Sequence, residues 1–221
     1  MKRTKLIDRD LPNYTKGEEI FNFVSHIVGG VLSVVALVLC IIVAALHSNP
    51  YGIVASCIYG VTTISLYTIS SIYHGLRAGT AKKVFQVLDH CTIYFMIGGS
   101  YMPVALCSIR QECTWAGWLL FGIIWALIAL ATTLTAIDLK KYKAFSMTCY
   151  IAMGWSVIFF IKPLYDAIGI EGIIWFVTGG ILYSLGAIIY GFKRKFAHPI
   201  FHIFVILGSV AHFFAIILYV L

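Results

Sequence analysis

The chain has 221 residues, of which 61% are hydrophobic and only 11% charged, and its mean hydropathy is +0.93. A soluble globular domain carries about 25% charged residues, so this composition excludes that class and indicates an integral membrane protein. The net charge of +7 does not indicate nucleic-acid binding, because the basic residues stand in small groups between apolar runs.

Seven apolar runs are each long enough to cross a membrane. About 20 apolar residues span the hydrocarbon layer as a helix, and short polar loops separate the runs. We predict spans at about 22–46, 52–75, 87–108, 114–137, 144–163, 172–192 and 198–220. The predicted fold class is an all-α integral membrane protein, a seven-transmembrane-helix bundle. Residues 1–21 form its polar N-terminal segment and residues 22–221 its membrane domain.

The basic residues indicate how this bundle is oriented. Of the 16 Lys and Arg residues, 14 lie before the first span or in the second, fourth and sixth loops. Only Arg110 and Lys162 fall on the other side. Lys and Arg accumulate on the cytoplasmic side of membrane proteins. The pattern predicts a cytoplasmic N-terminus, a C-terminus outside, and a multi-pass protein of the cell (plasma) membrane.

Polar residues within or beside the apolar runs gather in the predicted cytoplasmic leaflet. Residues three or four positions apart lie on one face of a helix, and the first, second and seventh spans carry polar residues with this spacing. An ionisable side chain inside a membrane is costly and indicates a functional site. The residues that share this leaflet are Glu19, Asn22, His26, Ser70, His74, Asp89, His90, His198 and His202.

Three of these histidines form a candidate metal site. His198 and His202 lie one turn apart at the start of the seventh span, and His74 ends the second. Zinc binds imidazole readily, and a catalytic zinc ion has three protein ligands and an open position for water. Asp89 could then accept the proton of that water as a general base, and Ser70 could orient a ligand or the water. The alternative is that each histidine is a buried polar residue, hydrogen-bonded to a neighbouring helix.

The remaining histidines are placed outside this site. His212 lies ten residues beyond His202, about 15 Å further along a helix, so we expect it to make a structural hydrogen bond. His47 falls in an outer loop, where we expect it to be solvated. The sequence assigns no role to His90.

Four motifs resemble those of the hemolysin III-type proteins, the bacterial branch of the progestin and adiponectin receptor superfamily. They are GEEIFNFVSH before the first span, SSIYH, LDH and HPIFH. The resemblance implies a seven-helix bundle with a zinc ion near its cytoplasmic face. His74, His198 and His202 would be the ligands, Asp89 would hold the zinc water, and Ser70 would be the motif serine. Glu19 and Asn22 match the first motif, and His26 lies on the same helix face.

The resemblance also implies a function. A wider relationship of this superfamily to alkaline ceramidases suggests a zinc-dependent hydrolase of lipid amides, with membrane lipids and a lipid-like substrate as its partners. A cytolytic pore is the second hypothesis, although no span carries the row of charges expected of a wide pore. The third is a regulator of membrane lipid composition in which the zinc ion is structural.

Overall fold

The computed structural model describes residues 4–192 and 194–221, and every regular element in those ranges is helical. The main helices are α1 (Lys16–Leu46), α2 (Pro50–Gly75), α3 (Thr80–Pro103), α4 (Thr114–Ile137), α5 (Lys143–Trp155), α6 (Ile161–Gly191) and α7 (Ala197–Ala215). Shorter helical turns continue three of them, namely Val104–Ile109 and Arg110–Glu112 after α3, Ser156–Phe160 after α5, and Ile216–Val220 after α7.

Six helical stretches in the described ranges are long and apolar enough to cross a membrane. They are Lys16–Leu46, Pro50–Gly75, Thr80–Glu112, Thr114–Ile137, Lys143–Gly191 and Ala197–Val220. The chain is therefore an all-helical integral membrane protein. The predicted fifth and sixth spans both fall in the 49-residue stretch Lys143–Gly191. Lys2, Arg3 and Lys193, which were counted in the charge pattern, lie outside the described residues.

The 49-residue stretch is not one straight helix. Gly169 has φ +66° inside α6, a left-handed conformation that favours glycine. Trp155 Nε1 donates a hydrogen bond of 3.0 Å to Ser184 Oγ, a residue 29 positions later. In a continuous helix, these residues would lie about 44 Å apart. The chain therefore folds back on itself between α5 and the second half of α6.

Helix α1 begins at Lys16, earlier than the predicted first span at about residue 22. The reason is a capping box before the apolar run: Thr15 Oγ1 accepts from Glu18 N, and Glu18 Oε2 accepts from Thr15 N. A tight turn joins α1 to α2: Asn49 Oδ1 caps α2 by accepting from Gly52 N, and Pro50 occupies the first helical position.

The helices pack in chain order around a shared core. Helix α1 packs along α2, α2 along α3, α3 against α4, and α7 against both α6 and α1. The close approach of α3 to α2 and α4 requires small residues, because a Cβ at Gly99 would meet Thr62 and one at Gly98 would meet Ile128. The turn Val104–Ile109 is buried throughout and fills the end of the bundle far from the histidine motifs.

The N-terminal segment, residues 4–15, is folded against the end of α4. Arg9 is buried, and its Nη2 donates to Ile137 O at 3.0 Å, at the C-terminus of α4. Asp138 Oδ2 accepts from Thr4 N at 2.9 Å. The amide groups of Thr4 and, to a smaller extent, of Lys141 lower the pKa of Asp138 to about 2. These contacts hold the N-terminal segment against the C-terminal end of α4.

Candidate metal centre and its cavity

The structure brings together the three histidines that were predicted to bind metal. His74 lies in the last turn of α2, and the first turns of α7 carry His198 and His202. His198 Nε2 lies 3.2 Å from His74 Nε2 and 3.0 Å from His202 Nε2. One ligand atom from each histidine lies within 4.8 Å of the others, and all three residues are buried. Four tetrahedral ligands at the usual zinc–nitrogen distance would be about 3.3 Å apart, close to these separations.

The remaining ring nitrogen of His74 has a strong partner. Glu19 Oε2 lies 2.6 Å from His74 Nδ1, and Asn22 Nδ2 lies 3.4 Å from the same nitrogen. A carboxylate on Nδ1 fixes the proton there, which leaves the lone pair of Nε2 free to face the other two histidines. This arrangement of carboxylate and histidine is common around protein-bound zinc. The group could therefore hold a metal ion.

The other two histidines are held mainly by ring contacts. His26 stacks on His202 with ring centroids 3.6 Å apart and an angle of 15° between the planes. Tyr14 stacks on His198 at 5.0 Å and 20°. Ser25 Oγ lies 3.4 Å from His202 Nδ1. Tyr14 precedes α1, and burial raises the pKa of its hydroxyl well above the ordinary value.

A cavity of about 480 Å³ adjoins the cluster. Its volume is within the range of ligand-binding pockets, about 300–1,000 Å³. His198 and His202 line it, and so do residues of the N-terminal segment, among them Arg9 and Tyr14. The cavity continues between the helices as far as Trp155 and His212. Most of the surface that lines the cavity is apolar.

The two residues predicted to be catalytic also line this cavity. Ser70 is one turn before His74 on α2, and its buried Oγ has no hydrogen-bond partner among the described residues. Asp89 lies on α3, with Oδ2 at 3.9 Å from His90 Nδ1. His26 lines the cavity too, and neither of its buried ring nitrogens has a partner in the described part of the chain. All three could therefore meet a ligand in the cavity.

Three histidines outside the cluster form hydrogen bonds to backbone carbonyls. His212 Nε2 donates to Phe176 O at 3.3 Å, which confirms the expected structural hydrogen bond. His47 is exposed, but its Nδ1 donates to Leu221 O at 2.7 Å, so solvation was an incomplete description. His90 Nδ1 donates to Gln86 O at 2.8 Å.

Comparison with known proteins agrees with the motif set. The family described as Haemolysin-III related matches residues 14–213. Hemolysin-3 of Bacillus cereus is 38% identical over 205 residues, covering 92% of both chains. The Hemolysin-3 homolog of Bacillus subtilis (strain 168) is 36% identical over 207 residues, 93% of this chain and 96% of that protein. The chain belongs to the haemolysin-III-related family.

A more distant relative connects this haemolysin-III-related protein to an animal branch. The human monocyte to macrophage differentiation factor is 28% identical over 169 residues, covering 72% of this chain and 67% of that protein. The similarity supports the superfamily relationship suggested by the motifs. The family match includes every residue of the histidine cluster, together with Glu19, Ser70 and Asp89.

Two contacts of the site were missed in the sequence. Lys82 was counted only as a basic residue of a cytoplasmic loop, yet it is buried and its Nζ lies 2.7 Å from Glu19 Oε1. Glu18 was not singled out, yet its Oε1 accepts from Phe196 N at 2.8 Å, two residues before His198. The burial of a loop lysine has no sequence signature, whereas Thr15 followed by Glu18 is a recognisable capping box.

Proposed function

We propose that this protein is a zinc-dependent membrane hydrolase that cleaves a lipid amide. The observation that carries the proposal is the convergence of three histidine Nε2 atoms beside a deep, mostly apolar cavity. A polar centre next to an apolar cavity suits a substrate with a polar head and a hydrocarbon chain.

The residues would hold and use the metal in different ways. His74, His198 and His202 would be its ligands, and Glu19 would fix the orientation of His74. When bound, zinc would polarise a carbonyl group and acidify a water molecule. Asp89 would accept the proton of that water, as a general base facing the cavity. The Ser70 hydroxyl, which has no hydrogen-bond partner among the described residues, would orient the water or the head of the substrate.

The proposed membrane arrangement has seven crossings, with the N-terminus in the cytoplasm and the C-terminus outside. Two observations support it: the reversal of the chain between Trp155 and Ser184, and the distribution of Lys and Arg between alternate loops. This topology places the histidine cluster in the cytoplasmic leaflet. We propose the cell membrane as the location.

The first experiment is the metal content of purified protein prepared without chelator. We expect about one zinc ion per chain in the wild type. It should be lost in both His74→Ala and His198→Ala, because each substitution removes one of the three ligands. His47→Ala, which alters an exposed histidine outside the cluster, should keep its zinc. Hydrolysis of a ceramide would then be measured in detergent. Absence of zinc from the native protein would refute the hydrolase proposal.

Cytolysis is a second candidate, favoured by the name of the Bacillus relatives, Hemolysin-3 and its homolog. A pore should conduct ions in a metal-free His198→Ala variant, whereas a hydrolase should lose all turnover in it. A regulator with a structural metal should instead lose thermal stability when the metal is removed, without catalysing any reaction. Conductance, turnover and melting temperature of the same variant therefore separate the three functions.

A further inference from the structure

Lys82 is buried against the candidate metal site, although it belongs to a basic loop in the sequence. The residue is only 5% exposed and lies in the first turn of α3. Its Nζ donates to Glu19 Oε1 at 2.7 Å and to Leu76 O at 3.0 Å. The same atom lies 5.1 Å from the centre of the Tyr73 ring. A lysine is almost never buried to this extent without partners of this kind.

Capping of α2 explains only one of these contacts. Leu76 follows the last residue of α2, and a cation at a helix C-terminus satisfies a free carbonyl and the helix dipole. A lysine with only this role would need no carboxylate partner. The contact with Glu19 joins three helices, because Glu19 belongs to α1, Lys82 to α3, and the capped carbonyl follows α2.

Glu19 uses one oxygen for each of two neighbours. Its Oε2 lies 2.6 Å from His74 Nδ1, and its Oε1 accepts from Lys82. The Glu19 side chain is 22% exposed, so without Lys82 it could turn towards water. With both oxygens engaged, the carboxylate is fixed in the orientation that holds the His74 ring. Outer partners of this kind typically change metal affinity by about 10- to 100-fold.

We propose that Lys82 is a positioning residue that acts through Glu19 to orient His74 for metal binding. The inference rests on the proposed metal site and adds a residue outside its ligands. Direct electrostatics predicts the opposite effect, since removing a nearby positive charge should strengthen the binding of a cation. The sign of the change in affinity therefore distinguishes positioning from simple charge repulsion.

The test is a titration of metal-free protein with Zn²⁺ in competition with a chelator, and with Co²⁺ observed by its visible absorption. We expect Lys82→Met to weaken the affinity for both ions by about tenfold or more. Lys82→Arg keeps a buried cationic donor and should bind almost as tightly as the wild type. Lys83→Met is the matched control, because it removes the same charge from a lysine that donates to Ile7 O instead of Glu19.

A double-mutant cycle separates positioning from a structural role. If Lys82 acts through Glu19, the effect of Lys82→Met should disappear in a Glu19→Gln background. The inference would be overturned if the losses of Zn²⁺ affinity in Lys82→Met and Glu19→Gln were additive. It would also be overturned if Lys82→Met bound Zn²⁺ as tightly as Lys83→Met, or more tightly. Lys82→Arg and Glu19→Gln keep the test informative if Lys82→Met does not fold. If the wild type binds no Zn²⁺, the metal site itself is refuted. If the wild type and Lys82→Met bind Zn²⁺ equally well, only the role of Lys82 is refuted.

Discussion

Glu18 connects the start of α1 to the turn that carries the histidine pair, and Glu18→Ala tests this connection. The residue is 4% exposed. Its Oε2 accepts from Thr15 N and Thr15 Oγ1, both at 2.8 Å, and its Oε1 accepts from Phe196 N at 2.8 Å. Phe196 has φ +62°, a conformation that a non-glycine residue adopts only when its surroundings hold it. We infer that Glu18 keeps this turn in place.

The magnitude follows from the two groups of hydrogen bonds. Loss of a helix N-cap costs about 1 kcal/mol, and this is the effect expected of Thr15→Ala. A hydrogen bond to a charged group contributes about 1.5–3 kcal/mol, so Glu18→Ala, which also removes the acceptor of Phe196 N, should cost about 3 kcal/mol in total. For a chain of this size, each kcal/mol lowers the melting temperature by about 2–4 °C.

The assay compares both variants in metal-free, detergent-solubilised protein and then titrates them with Zn²⁺. We expect Glu18→Ala to melt about 6–12 °C below the wild type and Thr15→Ala about 2–4 °C below it. Zinc affinity should fall only in Glu18→Ala, because His198 follows two residues after Phe196. Equal melting temperatures and equal zinc affinities in the two variants would refute the role of the Phe196 contact.

Three further predictions address the chemistry, the N-terminal segment and the topology. Asp89→Asn should retain zinc but hydrolyse ceramide about 10²–10⁴-fold more slowly, as expected for loss of a general base; unchanged turnover would exclude that role. The pKa of Asp138 is lowered to about 2, so its ionised form stabilises the docked N-terminal segment. This contribution is fully present at pH values above the ordinary pKa of 3.8 and should be lost as the pH falls towards 2. Asp138→Asn should show the same loosening at neutral pH, measured as faster hydrogen exchange of residues 4–14, and slow exchange in that variant would contradict it. The topology is tested by single cysteines in a cysteine-free background. Asp166→Cys should react with an impermeant thiol reagent only from outside the cell, and Lys195→Cys only from inside. Reaction of both cysteines from the same side would exclude seven crossings.

The membrane class and the pair His198 and His202 could be predicted from the sequence because both depend on patterns within a single helix. Apolar length identifies a membrane-crossing helix, and the spacing of His198 and His202 places them on one face. The addition of His74 needed one further step, the assignment of all three residues to one leaflet from the Lys and Arg distribution. These features can be predicted from the sequence because the membrane allows the chain to cross it only as regular secondary structure.

The surroundings of the cluster could not be predicted in the same way. Lys82 and Glu19 come from different helices, and they meet only because α1 and α3 both pack along α2. The position of Tyr14 over His198 likewise depends on how an irregular segment folds back. A loop was expected around Gly169, between the predicted fifth and sixth spans. The chain instead remains helical there, with Gly169 as one left-handed residue inside α6.

The length of α1 has a consequence for the depth of the site. Its 31 residues extend about 46 Å, whereas the hydrocarbon layer is about 30 Å thick. With Leu46 at the outer edge of the hydrocarbon, the inner edge falls near residue 27, next to His26. The rings of His26 and His202 would then lie where the acyl chains of a bilayer meet their polar linkages. A lipid amide could present its carbonyl to this plane without leaving the depth it already occupies in the membrane.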